Sequence, residues 1–472
     1  MEFYLSMKFN RSVFFNILTI FLTLLIFWLI KLAHLEFHFG DGNVYYYMAD
    51  RLLQGTLPYR DFLIADPPLL VILLAGIKLL IGNQLILFQT VPWILESMTA
   101  VLLFFLSRQQ LPKLAKFIPA LYLFSFLILS TTDYLTGLHF VNCLIVLAYF
   151  FRKKPYLSGI FWGLATLIKL YVIPGFIGWM IVLFMQKKWP QFKKTAIAYI
   201  ATGALVMLPF LILSPNNVIN HIILHQFNRP KGLSKLNIFR FFIQHDLLLL
   251  LTVGFNFYQT KHKKFLIPLL CWLIFYVIFK DLYYLYLGVM APWIILSLVD
   301  FWQALEKKLN CQKNNLGSQL VLMSLIMLFF TQIIGLNFYQ KNIQQQGVFT
   351  QAPAVAEYIN TLPTKPLYGS HEVAPLVALL SHRQLFDHQI DTNAQLFGSG
   401  ALDKNEISQA AAEQGVYLLT KVADIPQSID LNQGYDGYFS PTVFEQACQR
   451  LKIINGNDGD LFDDVAVYDC HF

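Results

Sequence analysis

Residues 40–69 read GDGNVYYYMADRLLQGTLPYRDFLIADPPL. The stretch begins soon after an apolar run, Val13 to Leu32, and holds four acids, Asp41, Asp50, Asp61 and Asp66. Carboxylates beside a membrane segment are costly unless they face water, a partner or a substrate. The fold therefore turns on which side of a membrane these acids occupy.

The rest of the chain supplies the membrane. Of 472 residues, 56% are hydrophobic, 16% aromatic and only 13% charged, against about 25% charged in an average soluble protein. Apolar runs of roughly 20 residues, enough to cross a bilayer as helix, recur between residues 12 and 336. Residues 337–472 are far more polar and read as a separate soluble domain. The net charge of +7 is dispersed among the breaks between apolar runs, which argues against a nucleic-acid partner.

Those breaks set the topology. Basic clusters stand at Lys8 and Arg11, at Arg108 to Lys116, at Arg152 to Lys154, and at Lys187 to Lys194; two more follow at Lys261 to Lys264 and Lys307 to Lys313. Cytoplasmic loops carry the Lys/Arg excess, so consecutive clusters are separated by an even number of crossings. Between Lys8 and Arg108 this admits one span besides Val13 to Leu32. Leu85 to Leu106 is long enough, which leaves Pro67 to Ile81 as a helix at the outer interface. Continuing with Phe117–Thr132, Leu138–Phe151, Leu157–Val172, Ile173–Met185, Thr195–Leu213, Phe242–Tyr258, Phe265–Phe279, Leu282–Trp302 and Leu320–Leu336 gives about 11 transmembrane helices. The N-terminus is cytoplasmic, and the outer loop 33–84 and the C-terminal domain lie outside.

In the outer loop, Tyr45, Met48, Ala49, Leu52 and Leu53 recur at helical spacing. This predicts a short amphipathic helix on the membrane surface, ended by Gly55 in a left-handed conformation. Tyr45, Tyr46 and Tyr47 read more readily as an interfacial aromatic belt than as a sugar platform. Asp66 before Pro67 and Pro68 has the form of a helix start, and Asp41 is a possible cap of the first outer helix. A second outer loop, 214–241, holds His221, His225, Arg229, Lys231, Lys235 and Arg240 and no acid. Cations outside suit an anionic ligand such as a lipid phosphate, or simply lipid headgroups. Lys169, Lys280 and Asp281 lie towards the same face. In the soluble part, Ala354–Asn360 and Val373–Leu380 read as helices and Pro366–Tyr368, Val416–Leu419 and Val465–Tyr468 as strands, a small α/β unit. Cys448 and Cys470 fall in this exported part, where a disulfide is chemically allowed. NDGDLFDD around Asp458 lacks the ligand order of a calcium loop and reads as an exposed turn.

One family shares these landmarks. Asp41 after the first span, Tyr45 four residues on, PYRDF, and Pro67-Pro68-Leu69 resemble the first outer loop of GT-C glycosyltransferases, of the protein mannosyltransferase and aminoarabinose transferase group. GLATLIK around Lys169, KDLYYLYLGVMAP from Lys280, and YGSHEVAPLVALLSHRQLFDHQIDTN from Tyr368 are similar to later landmarks of that group. The resemblance implies a GT-C-like polytopic α-helical protein of a bacterial inner or plasma membrane. Residues 1–336 are then a catalytic membrane domain and 337–472 an exported α/β domain. The implied reaction moves a sugar from a polyprenyl-phosphate donor to a glycan, lipid or protein acceptor outside. Asp41 matches the family's loop acid and is the candidate base, and Asp61 is a second catalytic candidate. Substrate-binding candidates are Arg60, Tyr45, Asp66, Lys169, Arg229, Lys231 and Arg240. In aminoarabinose-type relatives a lysine precedes the Pro-Pro pair and contacts the carrier phosphate. Here Asp66 stands there, so another cation, or a divalent metal held between acids, must meet the phosphate. Glu36, His38 and Asp41 have no recognised metal-ligand spacing. A secondary transporter, an oligosaccharide polymerase or ligase using a pyrophosphate carrier, and a noncatalytic scaffold are the competing readings.

Overall fold

The computed structural model describes residues 11–246, 264–310, 316–344, 347–422, 438–456 and 463–472. Five of its helices are long and apolar enough to cross a bilayer: Phe14–Leu32, Leu85–Arg108, Trp189–Leu213, Tyr284–Lys307 and Leu316–Asn342. Shorter apolar helices occupy Leu69–Ile81, Leu138–Phe150, Leu170–Met185 and Leu266–Ile278. The chain is thus a polytopic, mostly helical integral membrane protein. Tyr284–Lys307 is 89% buried and forms the centre, whereas Trp189–Leu213 is only 11% buried and faces outward. Proline recurs in the first helical turn, as Pro92, Pro119, Pro174 and Pro190, where its missing N–H is no loss.

Several predicted spans are interrupted. Phe117–Thr132 divides into Ile118–Leu123 and Phe126–Thr131, the second capped by Ser125 Oγ accepting from Ile128 N. Leu157–Val172 becomes a helix over Pro155–Thr166, after which Lys169 is extended and a short 3-10 turn leads into Ile173–Met185. This break turns the Lys169 side chain toward the outer loops. Of the predicted span Phe242–Tyr258, only the beginning falls in the described residues, where Lys235–His245 is one helix. The turn around Asp458 lies mostly outside the described residues.

Among the helices sits one fully buried acid, Glu96. Its carboxylate accepts from Tyr122 Oη at 2.5 Å and Asn142 Nδ2 at 2.9 Å and lies 2.9 Å from His139 Nδ1. These contacts fasten three helices around a group that would otherwise be prohibitive in hydrocarbon.

The outer helix Gly42–Leu53 differs from the surface helix expected. Nine of its residues are buried, including Tyr45, Tyr46 and Tyr47. Leu69–Ile81 packs on one side of it and the C-terminal helix Ala374–Ser381 on another. Tyr46 stacks on Phe88 with centroids 4.4 Å apart, and Tyr47 Oη accepts from Leu385 N at 2.9 Å. The three tyrosines are therefore packed core and not an aromatic belt. A segment more than 300 residues away in sequence covers the face opposite the one expected on lipid, meeting Asn43 and Tyr47. Leu69–Ile81 has 13 residues, about 20 Å of helix, shorter than a hydrocarbon core of roughly 30 Å, as are Leu138–Phe150 and Leu266–Ile278. Gly55 does end the first outer helix with φ 88°.

The C-terminal part contains a four-stranded sheet in the order β1-β2-β4-β3. Here β1 is Leu367–Gly369, β2 Val416–Lys421, β3 Cys448–Ile454 and β4 Val465–Cys470. β1 pairs parallel to β2, and the other pairings are antiparallel. Sequence reading missed β3, whose pattern of exposed QRLK residues is that of an edge strand with no apolar alternation to reveal it. Cys448 and Cys470 face each other across β3 and β4 and form a disulfide. The sheet unit is fastened to the first outer loop: Phe349 N donates to Phe37 O at 2.6 Å, Phe39 N to Gly347 O at 2.8 Å, and Asn43 Nδ2 to Glu372 O at 2.6 Å.

Candidate active site

Residues 38–66, residues 222–241 and the C-terminal domain meet around a cavity of about 1640 Å³. Asn217 Nδ2 donates to Tyr59 O at 2.6 Å and Gln226 Nε2 to Ala65 O at 3.0 Å, which holds the second loop on the first. A π-helical turn over Asn220–Leu224 precedes His225, an irregularity common at functional sites.

Asp41 lies on the cavity wall. It occupies the cap position of Gly42–Leu53 but makes no capping hydrogen bond. Its side chain is 53% exposed, with His371 Nε2 3.6 Å from Oδ1. The carboxylate is thus free to meet a ligand. Beside it, Asp391 also lines the wall. Burial pushes its carboxyl above the ordinary carboxylate range; His371 pulls the other way, and Asp41 pushes it further up.

Asp66 is no helix cap. Its Oδ2 is bound by the Lys169 ammonium and accepts from Tyr45 Oη at 2.9 Å, while Lys169 Nζ also donates to Tyr45 Oη at 2.8 Å. The lysine that pairs with Asp66 thus comes from a distant helix break. A third Nζ proton has no partner among the described residues.

The second cation is Arg229. Its Nη1 donates to Asp281 Oδ2 at 2.9 Å and to Tyr286 Oη at 3.4 Å, and its Nε donates to His225 Nε2 at 3.1 Å. Burial disfavours the charge, but Tyr286 and Asp281 outweigh it and hold the guanidinium protonated. Nη2 has no partner among the described residues. Gly232 lies against Asp281: a Cβ there would stand 3.0 Å from Asp281 Cα. Gly232→Ala is therefore expected to displace Asp281 and loosen its ion pair with Arg229, measurable as a lower melting temperature of the purified protein.

Because His225 Nε2 accepts from Arg229, its proton sits on Nδ1, which donates to Ser399 Oγ at 2.7 Å. Burial, then Arg229, lowers the His225 pKa to about 4. An unfolded chain protonates this histidine near its ordinary 6.5, whereas the folded one does not until about 4. The unfolded state thus binds more protons in that window, so stability is full above it and is lost as pH falls through it. The melting temperature is expected to drop more steeply with acidification in the wild type than in His225→Asn.

Other predicted residues fall elsewhere. Lys231 lines the cavity, but Arg60, Asp61 and Arg240 do not. Arg60 grips Asp61 through Nε at 2.8 Å and Nη2 at 2.7 Å, and Asp61 also accepts from Leu57 N at 2.7 Å, so this pair builds the turn. His38 is on the wall and Glu36 is not. Among the described residues no three His, Cys, Asp or Glu side chains form a metal-ligand cluster. Sequence reading assigned no role to His371, Asp391 or Asn393, although all lie in the YGSHEVAP…DHQIDTN stretch already singled out. Beyond Tyr286 the cavity turns apolar, lined by Ile173, Ile177, Phe275 and Phe279. Ile177, Ile223 and Phe227 at its edge are exposed.

No family model matches the chain, and no curated protein matches it in sequence. Solved structures do match it in fold. ArnT from Cupriavidus metallidurans bound to undecaprenyl phosphate superposes with TM-score 0.59 at 12% identity, covering 96% of this chain and 97% of that one. The Archaeoglobus fulgidus oligosaccharyltransferase AglB, in complex with an inhibitory peptide and a dolichol-phosphate, gives TM-score 0.53 at 13% identity over 86% of this chain and 69% of that one. The arabinofuranosyltransferase AftD from Mycobacteria gives TM-score 0.51 at 12% identity, over 97% of this chain and 40% of that one. The chain has the GT-C fold of these membrane glycosyltransferases.

Proposed function

We propose that this GT-C protein transfers a hexose or pentose from a polyprenyl-phosphate carrier to an acceptor hydroxyl or similar nucleophile at the outer face of the membrane. The observation that carries the reading is the make-up of one cavity. Asp41 stands on its wall without a capping role, Lys169 and Arg229 each keep an unused donor, and an apolar mouth opens beside Tyr286.

In this reading Asp41 takes the proton of the acceptor hydroxyl as its oxygen bonds to the anomeric carbon. The bond from that carbon to the carrier phosphate breaks, its electron pair remaining on the phosphate oxygen. Lys169 and Arg229 meet that growing charge. Asp66 and Asp281 hold the two cations in place before the donor arrives, and Tyr45 orients Lys169. Lys231 adds positive charge at the wall. The exposed apolar edge suits an isoprenoid chain, and the lipid phosphates bound to ArnT and AglB support a monophosphate carrier. A single base acting opposite the leaving phosphate inverts the anomeric centre.

The basic clusters favour about 11 crossings, with residues 1–336 as the membrane domain, 337–472 outside, the N-terminus cytoplasmic, and glycan, lipid or protein as acceptor. The test is turnover by purified full-length protein of labelled polyprenyl-monophosphate sugars, read as release of polyprenyl phosphate. Binding or transport without release removes the enzyme reading. Consumption of a pyrophosphate-linked donor instead favours the polymerase or ligase reading.

A further inference from the structure

One short helix of the C-terminal domain runs between the histidine beside Asp41 and the histidine beside Arg229. Ala394–Gly398 begins after Asn393 and ends at Ser399. At its start, Asn393 Oδ1 accepts from Gln395 N at 2.9 Å, which fixes the amide so that Nδ2 points to His371 Nε2 at 3.4 Å. That same histidine nitrogen stands 3.6 Å from Asp41 Oδ1. At its end, Ser399 Oγ donates to Leu396 O at 3.0 Å and accepts from His225, which accepts from Arg229.

We infer, resting on the transferase reading, that this helix positions the proposed base and the proposed phosphate-binding arginine relative to each other, through His371 at one end and His225 at the other. The exported domain then completes the catalytic site.

Three observations support a fixed distance between these ends. Thr392 Oγ1 donates to Gly369 O at 2.6 Å, which ties the start of the helix to β1. Leu396 is 2% exposed and Gln395 lines the cavity. At Gly398 a Cβ would lie 2.9 Å from Pro230 Cγ, so only the smallest residue lets the helix seat on the loop carrying Arg229. Chemically the two arms differ. His225 takes the Arg229 Nε–H and so fixes the plane of the guanidinium, leaving Nη2 for a phosphate oxygen. With Asn393 donating to it, His371 Nε2 presents a lone pair beside Asp41. A proton that Asp41 takes from the acceptor hydroxyl can then be shared with this lone pair, which holds the protonated carboxyl towards His371.

The test separates the arms with conservative variants of the full-length protein in detergent. Ser399→Ala is expected to weaken undecaprenyl phosphate affinity about tenfold, the scale of one buried hydrogen bond, while Ser399→Thr restores it. Asn393→Asp keeps the capping oxygen but removes the donor to His371. It is expected to lower kcat about tenfold for polyprenyl-monophosphate hexose and pentose donors without changing lipid-phosphate affinity. An unchanged affinity in Ser399→Ala overturns the inference. So does a fall of kcat and affinity together in both variants, in step with lost thermal stability. A wild-type protein that binds undecaprenyl phosphate but releases none from sugar-linked donors removes the transferase reading instead, and the Ser399 arm still decides whether the helix positions Arg229.

Discussion

Asp41→Asn is expected to lower kcat by about 10²- to 10⁴-fold, the contribution of a positioned general base, while leaving lipid-phosphate affinity and melting temperature unchanged. Asparagine keeps the shape of the side chain but cannot take the acceptor proton. The fold has little to lose, because Asp41 makes no helix-capping hydrogen bond and is half exposed into the cavity. Turnover on labelled donor, with undecaprenyl phosphate binding measured in parallel, checks both halves. Wild-type kcat in the variant would pass the base role to another group on the wall, with Asp391 the first to examine.

Removing the second cation should be more damaging and less selective. Arg229→Ala takes one of its two cations from the proposed phosphate site, for which about 10²- to 10³-fold in turnover is the expected scale. It also leaves Asp281 buried without its cation, a loss of roughly 3–5 kcal/mol in stability. The two effects are separable. In Arg229→Ala with Asp281→Asn the uncompensated charge is gone, so melting should recover while turnover should not. Arg229→Lys should keep the charge but lose the fork that reaches His225, Asp281 and Tyr286 together. A double variant with restored turnover would mean that Arg229 serves the fold alone.

The two halves of the site were unequally legible. Asp41, Lys169 and Arg229 stood out because acids and cations beside apolar segments carry a cost that calls for a reason. Asp61 stood out for the same reason, yet its charge is spent on Arg60 and the Leu57 amide within four residues of itself. Sequence cannot separate these cases, since both look like an unexplained outer charge. Asp66 was read as a helix cap and a departure from a pattern. Only the break after Thr166 brings Lys169 to it, so that the cation paired with Asp66 comes from another segment.

Periodicity failed in an instructive place. Residues Gly42 to Leu53 show one apolar face, and a single face beside a membrane implies a surface helix. Burial of the other face comes from Ala374–Ser381, a partner that no local pattern announces.

What the sequence by itself determined is what local chemistry controls: a membrane protein with several apolar spans, polar connecting loops, and a small α/β unit at the C-terminus. Apolar length and charge in the breaks are properties of short windows, and the bilayer reads them directly. Only the tertiary structure decided which charges share a cavity, that the residues flanking helix Ala394–Gly398 meet His371 and His225, and that Cys448 and Cys470 meet. These are contacts between residues tens to hundreds of positions apart, set by how helices and sheet pack once formed, and no window of sequence contains both partners.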